Sequence, residues 1–183
     1  PILGPEMRST GEVLGLAEDF PLAYYKAQEA AGDELPHAPA AWENKKVLIS
    51  LSNKENLKDQ VITIGKTLKD LGFTLVATQG TADFYNSNGI KCEVVNKIGA
   101  GRPDVVDLIM NKDVGLVINT PKAKRNYAED RKTIRKACLK YKVPYITTLA
   151  GALAAVKGIA AVKNGNGGEG GVKSLQEYHS LIK

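Results

Sequence analysis

The chain has 183 residues, 43% of them hydrophobic and 25% charged, with a net charge of +5. These are the proportions of a globular protein with one ordinary domain and some extra length. There is no apolar run of about 18 residues, no secretory start and no basic tract interleaved with aromatics, which argues against a membrane span, a leader and a nucleic-acid surface. The spread-out positive charge is better matched to a small anionic ligand. Cys92 and Cys138 stand apart without metal or redox spacing and read as buried thiols in a reducing compartment.

Residues 1–44 read as an ending rather than a beginning. Pro1 to Pro5 continue into neither helix nor strand, and Glu6 to Val13 form a dense polar cluster. One short helix follows, with Asp19 as N-cap, Pro21 in the first turn, alanines at 23, 27, 30 and 31, and Gly32 as the stop. The proline-rich stretch 33–44 reads as a linker, so the expected organised domain is 45–183.

From Lys45 the pattern is regular. Val47 to Leu51 is a short β-branched run suited to a strand buried on both faces. Ser52 and Glu55 have capping-box spacing, and Leu57, Val61, Ile64, Leu68 and Leu71 give an amphipathic helix closed by Gly72. Lys58 lies off that apolar stripe. Phe73 to Ala77 is a second strand, Thr78 to Thr81 a small-polar turn, and Thr81 to Asn88 a helix stopped by Gly89.

Residues 90–98 give a third strand ending at Asn96-Lys97. Gly99 to Arg102 form a turn, and Pro103 with Asp104 open a helix. Leu116 to Ile118 make a fourth strand running into Asn119-Thr120-Pro121, followed by a basic loop from Lys122 to Arg125 and a helix from about Ala128 to Lys142. Tyr145 to Thr148 is the fifth strand, and Gly151 to Val162 an alanine-rich helix. The loop NGNGGEGG carries no packing residues, and the tail has a helix starting near Ser174. Strands alternating with helices predict a three-layer α/β fold: a mainly parallel five-stranded sheet with helices on both faces.

In an open sheet of this kind ligands bind at the carboxyl ends of the strands. The residues found there are Ser52, Thr78 to Thr81, Asn96-Lys97, Asn119-Thr120 and Thr147-Thr148. Hydroxyls, backbone amides and a lysine gathered at one edge suit a phosphate, with Lys58 as a second ammonium. Taken singly, Thr78 or Thr81 fits a helix cap equally well, and each lysine fits a solvated surface charge. Both histidines lie outside the sheet, and Asp104 reads as a helix-terminus charge rather than a general base. The residues therefore point to binding without chemistry.

SLSNKENLK, ATQGTADF, VNKIGAGRPDVVDLI, VINTP and YKVPYITTLAGA, in this order and spacing, resemble the carboxyl-terminal regulatory domain of carbamoyl phosphate synthase large chains, which has the methylglyoxal-synthase-like fold. ILGPEMRSTGEV is similar to the close of that chain's second ATP-grasp half. The resemblance implies a carboxyl-terminal piece of a longer polypeptide, itself non-catalytic, that binds a nucleotide effector such as IMP or UMP and relays ornithine activation. It implies an effector phosphate on Lys58, Thr78, Thr81 and Lys97, with Asn119 and Thr120 on the ribose and base side and Asp130 closing the pocket. Tyr145 and Thr147 match this domain's share of an ornithine site, although Tyr145 fits a core aromatic equally well.

For the longer protein the resemblance implies an ATP-dependent ligase using Mg or Mn in arginine and pyrimidine biosynthesis. It would act with a glutamine amidotransferase small subunit, with oligomer contacts and a cytoplasmic location. Two departures stand out. The glycine-aspartate stretch used by methylglyoxal synthase is replaced here by Gly99-Ala100-Gly101-Arg102, and a second threonine after Asn119 is replaced by Pro121 before a loop one residue longer. A stand-alone phospho-ligand lyase and an oligomerisation module are the alternative readings.

Overall fold

The alternating pattern becomes a sheet wrapped by helices in the computed structural model of the chain, which describes residues 13–37, 46–52, 56–120, 128–163 and 173–180. In chain order the elements are α1 (Phe20–Ala30), β1 (Lys46–Ser50), α2 (Lys58–Asp70), β2 (Thr74–Thr78), α3 (Gln79–Ser87) and β3 (Cys92–Val95). They continue with α4 (Val105–Met110), β4 (Val114–Asn119), α5 (Ala128–Tyr141), β5 (Tyr145–Ile146), α6 (Leu149–Ala161) and α7 (Leu175–Ser180). The five strands run parallel in the order β3-β2-β1-β4-β5.

Alternation along the strands divides the core. Val47, Ile49, Leu75, Ala77 and Ile118 face one layer, built from α2, α3 and α6 with Tyr25 of α1. Leu48, Val76 and Val117 face the other, where α4 and α5 bring Val105, Ile109, Ile134 and Cys138. Both faces are thus covered, as a parallel sheet requires. Register places Ser50 beside Asn119 and Thr78 beside Val95, so these strands end at a common edge.

Several local expectations are corrected. Ser52 does not cap α2: that helix starts at Lys58 behind Leu57, which makes no side-chain cap and is 42% exposed rather than part of the buried stripe. Ser52 instead turns toward β4, its hydroxyl 3.4 Å from Thr120 Oγ1. The turn expected at Thr78 to Thr81 is absent, because α3 begins at Gln79 directly from β2. Thr148 does not extend β5 but caps α6, its hydroxyl accepting from the Gly151 amide at 3.1 Å.

The first helix forms as expected, with the Asp19 carboxylate accepting from the Leu22 amide at 2.8 Å. It does not stand apart from the sheet: Leu22, Tyr25 and Leu35 are buried, and α1 packs so closely on α6 that a Cβ on Gly158 would sit 2.7 Å from the Pro21 carbonyl oxygen. At the far end, Tyr178 of α7 donates to the Leu16 carbonyl at 3.0 Å. Pro121, the Lys122 to Arg125 loop, Glu55, the glycine-rich loop from Asn164 and the opening residues 1–12 lie outside the described residues. No helix among the described residues is long and apolar enough to cross a membrane.

Candidate functional site

Because β1, β2 and β4 end together, their last residues and the turns after them surround one cleft. Ser50, Leu51 and Ser52 come from β1, Thr78, Gly80 and Thr81 from the β2–α3 junction, and Asn119 and Thr120 from β4. Lys97 and Ile98 enter from beyond β3, and Asp130, Arg131 and Ile134 from the first turns of α5. Leu48, Val105 and Val117 complete an apolar wall on the α4/α5 side. The cleft has a volume of about 160 Å³.

The polar groups are held by specific bonds. Thr81, only 4% exposed, accepts from the Leu51 amide at 3.3 Å through its hydroxyl, which ties the start of α3 to the end of β1. Thr120 Oγ1 accepts from the Ser52 amide at 3.0 Å and its own amide donates to the Ser50 carbonyl at 2.9 Å, tying β1 to β4. Asn119, 6% exposed, donates through Nδ2 to the Tyr145 hydroxyl at 3.2 Å. Thr78 precedes α3 without a side-chain cap bond, so the start of the helix brings the positive end of its dipole to the cleft without a side-chain cap. Beside them stands the exposed ammonium of Lys97, with no carboxylate paired to it among the described residues.

This arrangement can take an anion at one end and an apolar, partly polar body at the other. Two cations, Lys97 and Arg131, oppose a single carboxylate, Asp130, among the lining residues. Of the residues expected at the site, Thr78, Thr81, Lys97, Asn119, Thr120 and Asp130 are brought together. Lys58, exposed on the first turn of α2, is not among the lining residues, nor are Tyr145 and Thr147. Arg131 and Ile134 were not expected there. Their signal was helical spacing: Ile134 lies one turn beyond Asp130 and Arg131, so it neighbours each of them on the helix surface.

The model of the MGS-like domain matches residues 60–147, which span four of the five strands and every lining residue of the cleft except those from β1 and the turn after it. This segment of the chain belongs to the MGS-like domain family. The chain is 48% identical over 179 residues to the carbamoyl phosphate synthase large chain of Archaeoglobus fulgidus, a match covering 98% of this chain and 16% of the relative. It is 47% identical over 163 residues to the large chain, C-terminal section, of Methanopyrus kandleri, covering 89% and 29%. The corresponding section from Aquifex aeolicus is 42% identical over 183 residues, covering 99% and 32%. The chain therefore spans between 16% and 32% of the length of these relatives.

In this MGS-like domain Tyr145 and Thr147 line a second cavity, between α5, the end of α1 and β5, with Asp33, Arg135 and Lys142. Burial raises the Tyr145 hydroxyl above the usual tyrosine range, partly opposed by the bond from Asn119. Tyr145 thus sits between two cavities, lining one and bonded to the rim of the other. Asp104, 5% exposed, spends its carboxylate as the N-cap of α4, accepting from the Val106 and Asp107 amides at 2.8 and 3.1 Å. It thus takes the helix-terminus position expected from the sequence.

Proposed function

We propose that the cleft binds a nucleoside monophosphate such as UMP or IMP, and that the chain is the effector-binding regulatory module of a carbamoyl phosphate synthase large chain. The observation that carries this reading is the polarity of the cleft: uncapped helix amides, hydroxyls and Lys97 at one end, an apolar wall with Asn119, Thr120 and Asp130 at the other. An anion bound at a helix N-terminus beside a lysine uses both the orphan amides and the dipole. The phosphate is assigned to Thr78, Thr81 and Lys97, with Lys58 approaching from α2. Asn119, Thr120 and Asp130 are assigned to the ribose and base.

In this proposal the longer protein is the ATP-dependent ligase, using Mg or Mn, in the cytoplasm with an amidotransferase small subunit. Residues 1–44 close its preceding ATP-grasp half. Tyr145 and Thr147 contribute to an ornithine site completed elsewhere in that protein, and surfaces of the module take part in oligomer contacts. The module itself does no chemistry. The engagement of Asp104 in a helix cap supports this, since a general base needs a free carboxylate within reach of its proton.

Calorimetric titration of the chain with UMP, IMP and ornithine tests the reading. Saturable binding of at least one nucleotide, one per chain, is the expected result. Incubation with dihydroxyacetone phosphate distinguishes the lyase alternative: no methylglyoxal above the buffer rate is expected, and turnover abolished by Asp104→Asn would overturn the regulatory assignment.

A further inference from the structure

Asn119 is the last residue of β4, buried, and its amide is, with the Thr120 hydroxyl, a polar group on the β4 side of the cleft. An asparagine side chain has a donor end and an acceptor end of almost the same shape, so a neighbour must hold it if it is to meet a ligand in one way. Here the neighbour is Tyr145 on the adjacent strand β5, whose hydroxyl receives Nδ2 at 3.2 Å. Tyr145 itself does not line the cleft.

Building on the nucleotide reading above, we propose that Tyr145 is a positioning residue for the nucleotide cleft. It acts through Asn119, holding the plane of the amide so that its remaining donor and acceptor meet the polar groups of the sugar or base. With one Nδ2 hydrogen bonded to Tyr145, Oδ1 and the second Nδ2 hydrogen are left for the ligand, in a plane fixed by that bond, which suits a ribose hydroxyl or the donor–acceptor edge of a base. The phosphate end of the cleft, built from Thr78, Thr81 and Lys97, has no bond to Tyr145 and is independent of it. The Tyr145 ring is partly buried against the core on the α4/α5 face and also lines the second cavity, so Tyr145→Phe keeps the packing and removes only the bond.

The test compares UMP with inorganic phosphate on the wild-type chain, Tyr145→Phe, Asn119→Ala and the double variant, by calorimetry for UMP and phosphorus NMR for phosphate. Tyr145→Phe should weaken UMP by about three- to tenfold, as expected for one net hydrogen bond, and leave phosphate affinity unchanged. The double variant should bind UMP no more weakly than Asn119→Ala alone, since the tyrosine acts only through the asparagine. Unchanged UMP affinity in Tyr145→Phe, with the wild type binding normally, overturns the proposal. So does a parallel loss of UMP and phosphate binding, which would mean a general disturbance of the cleft. A wild-type chain that binds no nucleotide overturns the nucleotide reading itself, and this inference with it.

Discussion

Removing the Lys97 ammonium should separate binding from folding. Lys97 leaves from fixed backbone: its carbonyl accepts from the Ala100 amide at 3.0 Å, and the preceding Asn96 pairs with Asp104 and donates to the Pro103 carbonyl at 3.1 Å. The ammonium is exposed and has no carboxylate partner among the described residues, so Lys97→Ala should change stability by less than about 0.5 kcal/mol. At the phosphate it removes a charge-assisted hydrogen bond worth ~1.5–3 kcal/mol. That is a loss of roughly 10- to 150-fold in UMP affinity. Because the contact is open to solvent, wild-type affinity should fall as ionic strength rises from about 0.1 to 1 M and the screening length shrinks from roughly 10 to 3 Å. The variant should respond less. Calorimetry at both salt concentrations reads both effects, and a thermal melt controls for folding. Unchanged affinity with unchanged salt dependence would refute the phosphate assignment.

Three further outcomes follow from the packing and the buried groups. Thr81→Val should lower stability by ~1–3 kcal/mol in denaturant unfolding, toward the low end for a 3.3 Å bond, because it strands the buried Leu51 amide. Thr81→Ser should restore it. Gly158→Leu should cost ~1–3 kcal/mol by overpacking, since even a Cβ there would lie 2.7 Å from the Pro21 carbonyl oxygen and 3.0 Å from Tyr25 Cβ. An unchanged melting temperature would mean that α1 is not seated on α6. Burial pushes the Cys92 and Cys138 thiols from about 9 up to about 12, so the unfolded chain ionises first. Their contribution is fully present below about pH 9 and is lost as pH rises toward about 12. The Cys92→Ala/Cys138→Ala variant should show a shallower decline across that window.

The strands and most helices were legible because each is a short local pattern. β-branched runs such as Val47 to Leu51 and the spacing of Val61, Ile64 and Leu68 leave few alternatives. The candidate site was legible for a related reason: in a parallel sheet the residues after the strands must meet at one edge, whatever the strand order. What failed was read from short polar motifs. Ser52 and Glu55 matched a capping box, but α2 starts only at Lys58 behind Leu57, so that spacing does not fall at its N-terminus. Gly80 suggested a turn, yet α3 starts immediately from β2 and takes the glycine into its first turn.

The packing of α1 was hidden because its signal lies in another segment. The alanines of α1 look like an ordinary short helix until Gly158 on α6 is known to be the surface against it. Strand order, likewise, is set by which faces pack, not by any single stretch. Arg131 was missed because a charged residue on the polar side of α5 looks like solvated surface until the edge of the sheet is placed beside it.

In the proposed function this edge of the sheet holds the nucleotide. Backbone amide NMR of the chain titrated with UMP tests it directly, residue by residue. The largest shifts should fall on Leu51, Ser52, Gly80, Thr81, Lys97, Asn119, Thr120 and Arg131, saturating together with one affinity. Shifts centred on the cavity at Asp33, Arg135 and Lys142, or no saturable shifts at millimolar UMP, would contradict it.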